Sequence, residues 1–248
     1  MATSVQAVRE LLERRFPDAL PLSHTTVRVA ATGVGPLDRI LPGGGLPRGR
    51  LAVWAPGGGA TALLRAACDA AVARGERAAW VDGGGAIAGA YWRPGPLLLR
   101  PRDTRGALEA AEVLLRSGGF GVVVVTGAGP LDEAGIRLSR AAREGGTALV
   151  TLSSAVPVAS LRIASRLLPE RYRWQPGPFG EAAEVERVTV RVRVSGLGLA
   201  ARTDLSLAVV HHELRVSLDP GEYDRRGARR GARGRAAGGG AAHRGGAR

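Results

Sequence analysis

The stretch from Leu51 to Ala62 constrains the fold more than any other part of the chain. Leu51-Ala52-Val53-Trp54 is a short apolar run, and Ala55-Pro56-Gly57-Gly58-Gly59-Ala60 is a glycine-rich turn. Thr61-Ala62 then opens a segment in which Leu63, Leu64, Ala67 and Ala71 recur on one helical face. Strand, glycine loop and helix, in that order, form the layout of a phosphate-binding loop, where N–H groups at a helix start face an anion.

The chemistry of that loop is missing from the side chains. A working loop reads G-x-x-x-x-G-K-[ST], with the Lys on the outer phosphates and the hydroxyl on Mg²⁺. Here those last three positions are Ala60, Thr61 and Ala62, and the chain contains no lysine. Arg does not replace that Lys simply, because its fork differs in shape and hydration. Passive nucleotide binding by the backbone of Gly57–Ala60 is left open.

Around this centre the pattern alternates between strand and helix. Ser4 caps an expected helix over residues 4–15, which Pro17 stops. Residues 18–50 read as irregular with short strands. Strands are expected at 77–81, 97–99, 122–125 and 147–152. Helices are expected at 59–74, at 104–117 after an Asp103 cap, at 131–144 and, as a basic amphipathic segment, at 158–168. Val122–Val125 is wholly apolar, as a strand buried on both faces is. Alternation of this kind predicts an α/β fold with a mostly parallel sheet and helices on both faces. Beyond residue 170 the period changes to two. Arg187-Val188-Thr189-Val190-Arg191-Val192-Arg193-Val194 reads as a half-exposed strand whose arginines guard a sheet edge. Leu205–Val210 and Glu213–Leu218 complete an expected antiparallel β appendage. His211-His212 falls between them, most simply in a turn rather than a metal site.

Charge is unevenly distributed. The net charge is +13, and residues 225–248 hold eight arginines and no acid, leaving +5 for residues 1–224. Apart from Tyr223, residues 219–248 lack large apolar side chains, and they are expected to be disordered. In this tail Arg225, Arg226, Arg229, Arg230, Arg233 and Arg235 are candidate phosphate contacts, and residues 225–248 hold no aromatic for base stacking. Arg162 and Arg166 form a second candidate group for a nucleic acid or partner. The single cysteine, Cys68, sits on the apolar side of the first core helix and reads as a buried structural thiol. No segment reads as a secretory leader or membrane span, so a cytoplasmic location is expected. The domain plan is an N-terminal helix and linker (1–23), a core with its β meander (24–218) and the Arg/Gly-rich tail (219–248).

The Leu37-Asp38 pair, the Gly44-Gly45-Leu46-Pro47-Arg48-Gly49 turn and the glycine loop together resemble the opening of the RecA family core, to about Arg166. The resemblance implies further ATP-handling positions, and each is occupied by something else. Gly83-Gly84-Gly85 follows Asp82 where the catalytic Glu would stand. Thr126-Gly127 ends the strand that would supply a metal-side Asp. Ser153-Ser154 replaces a polar sensor pair, and Ser153–Val158 is too short for the long DNA-contacting loop. A RecA-like core of this length without ATP residues resembles the ImuA family of accessory factors in damage-induced mutagenesis. That implies a non-catalytic adaptor in the DNA damage (SOS) response and translesion synthesis. It would carry no cofactor, metal or catalytic residue, and would bind an ImuB-like relative of Y-family polymerases and a RecA filament. The alternatives are a divergent DNA-dependent ATPase of the RecA family and a SulA-like inhibitor of cell division.

Overall fold

The computed structural model describes residues 28–87, 92, 95–129, 131–154 and 156–209. Among them the chain is α/β, built on a mostly parallel nine-stranded sheet. Strands β3 (Leu51–Ala55), β4 (Ala78–Asp82), β5 (Leu97–Leu99), β6 (Val122–Thr126), β7 (Ala148–Leu152) and β8 (Leu161–Leu167) run parallel. Strands β9 (Arg173–Pro176), β10 (Ala182–Gly196) and β11 (Leu199–Ala208) join them antiparallel. The order is β11-β10-β8-β3-β7-β6-β4-β5, with β9 paired to β10 in line with β8. A separate ribbon pairs β1 (Val29–Ala30) with β2 (Leu46–Pro47). The helices are α1 (Gly35–Asp38), α2 (Ala60–Ala73), α3 (Thr104–Arg116) and α4 (Glu133–Gly145).

The apolar strands explain the architecture. Every residue of β6 is buried, and successive valines point to opposite faces. Val122 and Val124 enter one apolar cluster with Trp54, Trp80 and the α2 residues Leu63, Leu64, Ala67 and Cys68. Val123 and Val125 enter a second with Ala107, Ala111 and Leu115 of α3 and Leu138, Ala141 and Ala142 of α4. Asp103 caps α3 as expected, its carboxylate accepting the Gly106 N–H at 2.7 Å. Gly146, with φ of 65°, ends α4 in the left-handed conformation usual after a helix. None of the described helices is long and apolar enough to cross a membrane.

Three expectations are corrected. Residues 158–168 do not form a helix: Leu161–Leu167 is strand β8, paired with β3 and β10. The segment satisfies both periods, but Leu161 and Ile163 bury on one side while Arg162, Ala164 and Arg166 are exposed on the other. The antiparallel strands are not an appendage. They continue the main sheet through β8, so Arg187, Arg191 and Arg193 lie on an interior strand, and β11 is the edge strand on that side among the described residues. The hairpin partner of β10 also begins earlier than expected. Gly196 pairs with Leu199 across Leu197-Gly198, both at positive φ (54° and 74°), which is the twist a tight hairpin requires. The expected helix at 4–15, His211-His212, the strand at 213–218 and the Arg/Gly tail lie outside the described residues.

Candidate functional site

Because β3 to β8 are parallel, the ends of β3, β4, β6 and β7 fall on one margin of the sheet. That is where open α/β sheets place ligands. The glycine loop is there, leaving β3 at Ala55 and entering α2 after Gly59, whose φ is 85°. The Ala60 N–H donates back to the Gly57 carbonyl at 3.2 Å, closing the turn on itself. None of the side chains of Ala55, Pro56, Gly57, Gly58, Gly59, Ala60, Thr61 and Ala62 carries charge. Thr61 and Ala62 are exposed on the first turn of α2.

The neighbours of the loop explain its glycines. Ala55 pairs with Ala164, and β8 then runs on past the end of β3. A Cβ on Gly57 would collide with the Ser165 carbonyl oxygen, and one on Gly58 with the Leu167 side chain. On Gly59 it would stand 2.9 Å from both methyl groups of Val190. The three glycines are thus required by close approach to β8 and β10, whatever binds on the other side. Trp54 ties the same strands together, its Nε1–H donating to Ser165 Oγ at 3.1 Å.

At the next strand ends the polar groups are committed to one another. Asp82 is fully buried at the end of β4. Its carboxylate accepts the Ala86 N–H at 3.1 Å, the Ile87 N–H at 2.8 Å and the Thr126 hydroxyl at 3.1 Å. The Gly83 N–H donates to the Thr126 carbonyl at 2.9 Å. A Cβ on Gly127 would collide with the Gly84 nitrogen, so the ends of β4 and β6 meet backbone to backbone. Ser153 follows β7 and its N–H donates to the Trp54 carbonyl at 3.0 Å. The organising role of Asp82 was missed in the sequence, although an Asp before three glycines is the signal of a side chain closing a turn.

The approach to β3 is structural too. Leu37 is fully buried. Asp38 Oδ1 accepts from the Thr32 N–H and hydroxyl, both at 2.8 Å, and Thr32 Oγ1 accepts the Val34 N–H at 3.2 Å. A Cβ on Gly45 would meet the Ala30 carbonyl oxygen at 2.6 Å, so the turn presses directly on β1.

The predicted basic residues are divided. Arg162 and Arg166 lie on β8, on the side away from Ser165 and Leu167, and so do not face the glycine loop. The Arg162 guanidinium donates to the carbonyls of Val156 and Pro157 at 3.2 and 3.3 Å. Arg225, Arg226, Arg229, Arg230, Arg233 and Arg235 lie outside the described residues. Among the described residues no group of three or more His, Cys, Asp or Glu side chains is gathered as a metal site would need. A groove of about 560 Å³ opens elsewhere, lined by Arg28, Arg48, Glu76, Arg77 and Phe120. In it Arg48 and Glu76 pair at 2.6 Å.

No protein-family model matches this chain, and no curated protein matches it.

Proposed function

We propose that this chain is a RecA-like core, with helices on both faces of its sheet, that has given up nucleotide chemistry and acts as an adaptor. Its place would be error-prone translesion synthesis after DNA damage, in the cytoplasm and at the nucleoid. Its main partner would be an ImuB-like polymerase relative, with the RecA filament as a second.

The observation that supports a non-catalytic core is the glycine loop. It keeps the strand–turn–helix course of a phosphate loop but carries Ala60, Thr61 and Ala62 where the reactive residues would stand. Its glycines are accounted for by Ser165, Leu167 and Val190. Phosphoryl transfer depends on positioned charge, so a loop of neutral side chains has little to offer it. The positions assigned by the resemblance to catalytic Glu, metal-side Asp and sensor lie together on the same margin. There the buried carboxylate of Asp82 is spent on two backbone N–H groups and Thr126. The partner assignment rests on the resemblance to ImuA.

Copurification tests it. The full chain, coexpressed with the ImuB-like protein of the same genome, is expected to form a stable complex that ATP neither strengthens nor releases. Failure to hold either that protein or a RecA filament would end the adaptor reading.

A further inference from the structure

Six arginines that are far apart in sequence meet on one face of the sheet. Strands β8, β10 and β11 lie side by side, and directly paired residues share a face. One row across the three strands reads Arg166, Arg191, Asp204. The next reads Ala164, Arg193, Arg202, and the one beyond it Arg162, Ser195, Ala200. Arg187 extends the field in the other direction. The opposite sides of these strands carry Leu161, Ile163, Val190, Val192, Val194 and Leu205, all buried in the core. The arginine face is therefore the outer one, and Arg162, Arg166, Arg193 and Arg202 are exposed on it.

The charge is mostly positive and internally opposed, with Asp204 in the rows and Glu170 near Arg191. Asp204 is the carboxylate at the register positions of this face, and it is taken by a two-pronged pair with Arg191 at 2.8 Å and by Arg171 at 2.7 Å. Arg193 stands directly opposite Arg202, and Arg166 opposite Arg191. Like charges in directly opposed positions destabilise a sheet, so the fold alone gives no reason to keep them. Ala164, Ser195 and Ala200 stand between them; Arg162 is tied to the Val156 and Pro157 carbonyls, Arg187 to Ser206 and Arg191 to Asp204.

We propose that this face binds the phosphate backbone of double-stranded DNA. Guanidinium forks match phosphate oxygens in shape and charge. Among the described residues, the rows of this face hold no aromatic on which separated bases could stack, which favours the intact duplex over a single strand. Among the described residues, these rows also hold no large apolar side chain to enter a bilayer or to anchor a protein interface. Binding is sequence-independent and salt-sensitive, because the contacts are to phosphate. The inference stands apart from the adaptor reading, since it uses neither the glycine loop nor a partner protein.

The test is the salt dependence of binding by the full chain to a short random-sequence duplex, between about 50 and 200 mM salt. Each phosphate contact contributes about 0.9 to the slope of log affinity against log salt. The double variant Arg193→Gln/Arg202→Gln is expected to bind at least tenfold more weakly, with a slope shallower by about 2. Arg193→Lys/Arg202→Lys keeps the charge and is expected to keep the slope. An unchanged slope in the Gln variant would overturn the proposal and leave the Arg-rich tail as the DNA contact. So would tighter binding of the parent chain to anionic vesicles or to an acidic peptide than to the duplex.

Discussion

The two methyl groups of Val190, on β10, each stand 2.9 Å from where a side chain on Gly59 would begin. The two residues are far apart in sequence, and their contact fixes the glycine loop against the sheet. Gly59 also has φ of 85°, a conformation that costs an L-residue energy. Gly59→Ala is therefore expected to destabilise the protein by about 1–3 kcal/mol, from crowding and backbone strain together. Urea unfolding measures this as a lower midpoint at unchanged slope. A variant as stable as the parent would mean that the loop is free to move away from β10.

Asp82 makes a different prediction. Its carboxylate is the acceptor for two backbone N–H groups and for Thr126. Asp82→Ala would leave those donors without it in a buried place, and a loss of about 2–4 kcal/mol is expected. Asp82→Asn keeps an acceptor oxygen and should lose less. Chemical denaturation of the two variants measures the difference. Equal and small effects would show that the turn after β4 does not depend on this side chain.

The parts of the fold that were legible in the sequence are those where one signal acted alone. Val122–Val125 could be read because four successive apolar residues fit a strand buried on both faces. The cap at Asp103 and the inward face of α3 were legible for similar reasons. Segment 158–168 was ambiguous because Leu161 and Leu168 fit a helical face as well as Leu161 and Ile163 fit a strand. What decided it lay outside the segment, in the exposed edge of β3 and the long strand β10. The alternation of Leu161 and Ile163 with Arg162 and Arg166, between Pro157 and Pro169, was the available clue. Misreading it hid the arginine face, because Arg162 and Arg166 meet Arg191 and Arg193 only when both segments are strands. The glycine loop was legible as a course of the backbone. That Ser165, Leu167 and Val190 would press on it was not, since those contacts come from strands distant in sequence.

Asp204 gives a pH dependence. Hydrogen bonding to Arg191, with the charges of Arg191 and Arg171 beside it, lowers its carboxyl from the usual 3.8 to about 2. A lowered folded-state value stabilises the protein above about pH 4, and that contribution is lost as pH falls towards 2. Asp204→Asn is expected to melt at a lower temperature than the parent at neutral pH. The gap should close between about pH 4 and 2. A gap that stays constant through that window would mean the ionised carboxylate contributes nothing there.

Cys68 is buried in the α2 core, and burial, followed by the charge of Asp69, pushes its thiol up to about 12. The thiolate is the reactive form, so an aromatic disulfide reagent at about pH 8 is expected to leave the folded protein unlabelled. One thiol should react at once in denaturant. Because the unfolded thiol ionises near its ordinary 9.0, this group also takes stability away as pH rises from there towards 12. Prompt labelling under native conditions would contradict the packing of α2 on the sheet.

Titration calorimetry of the purified full chain with ATP and Mg²⁺ asks whether the glycine loop still binds nucleotide. Expected is no saturable heat, because the glycine loop carries no lysine or metal-side hydroxyl and its glycines serve the contacts with β8 and β10. Saturable binding in the micromolar range would contradict a core that has lost its nucleotide chemistry, and would reopen the reading of the chain as a DNA-dependent ATPase.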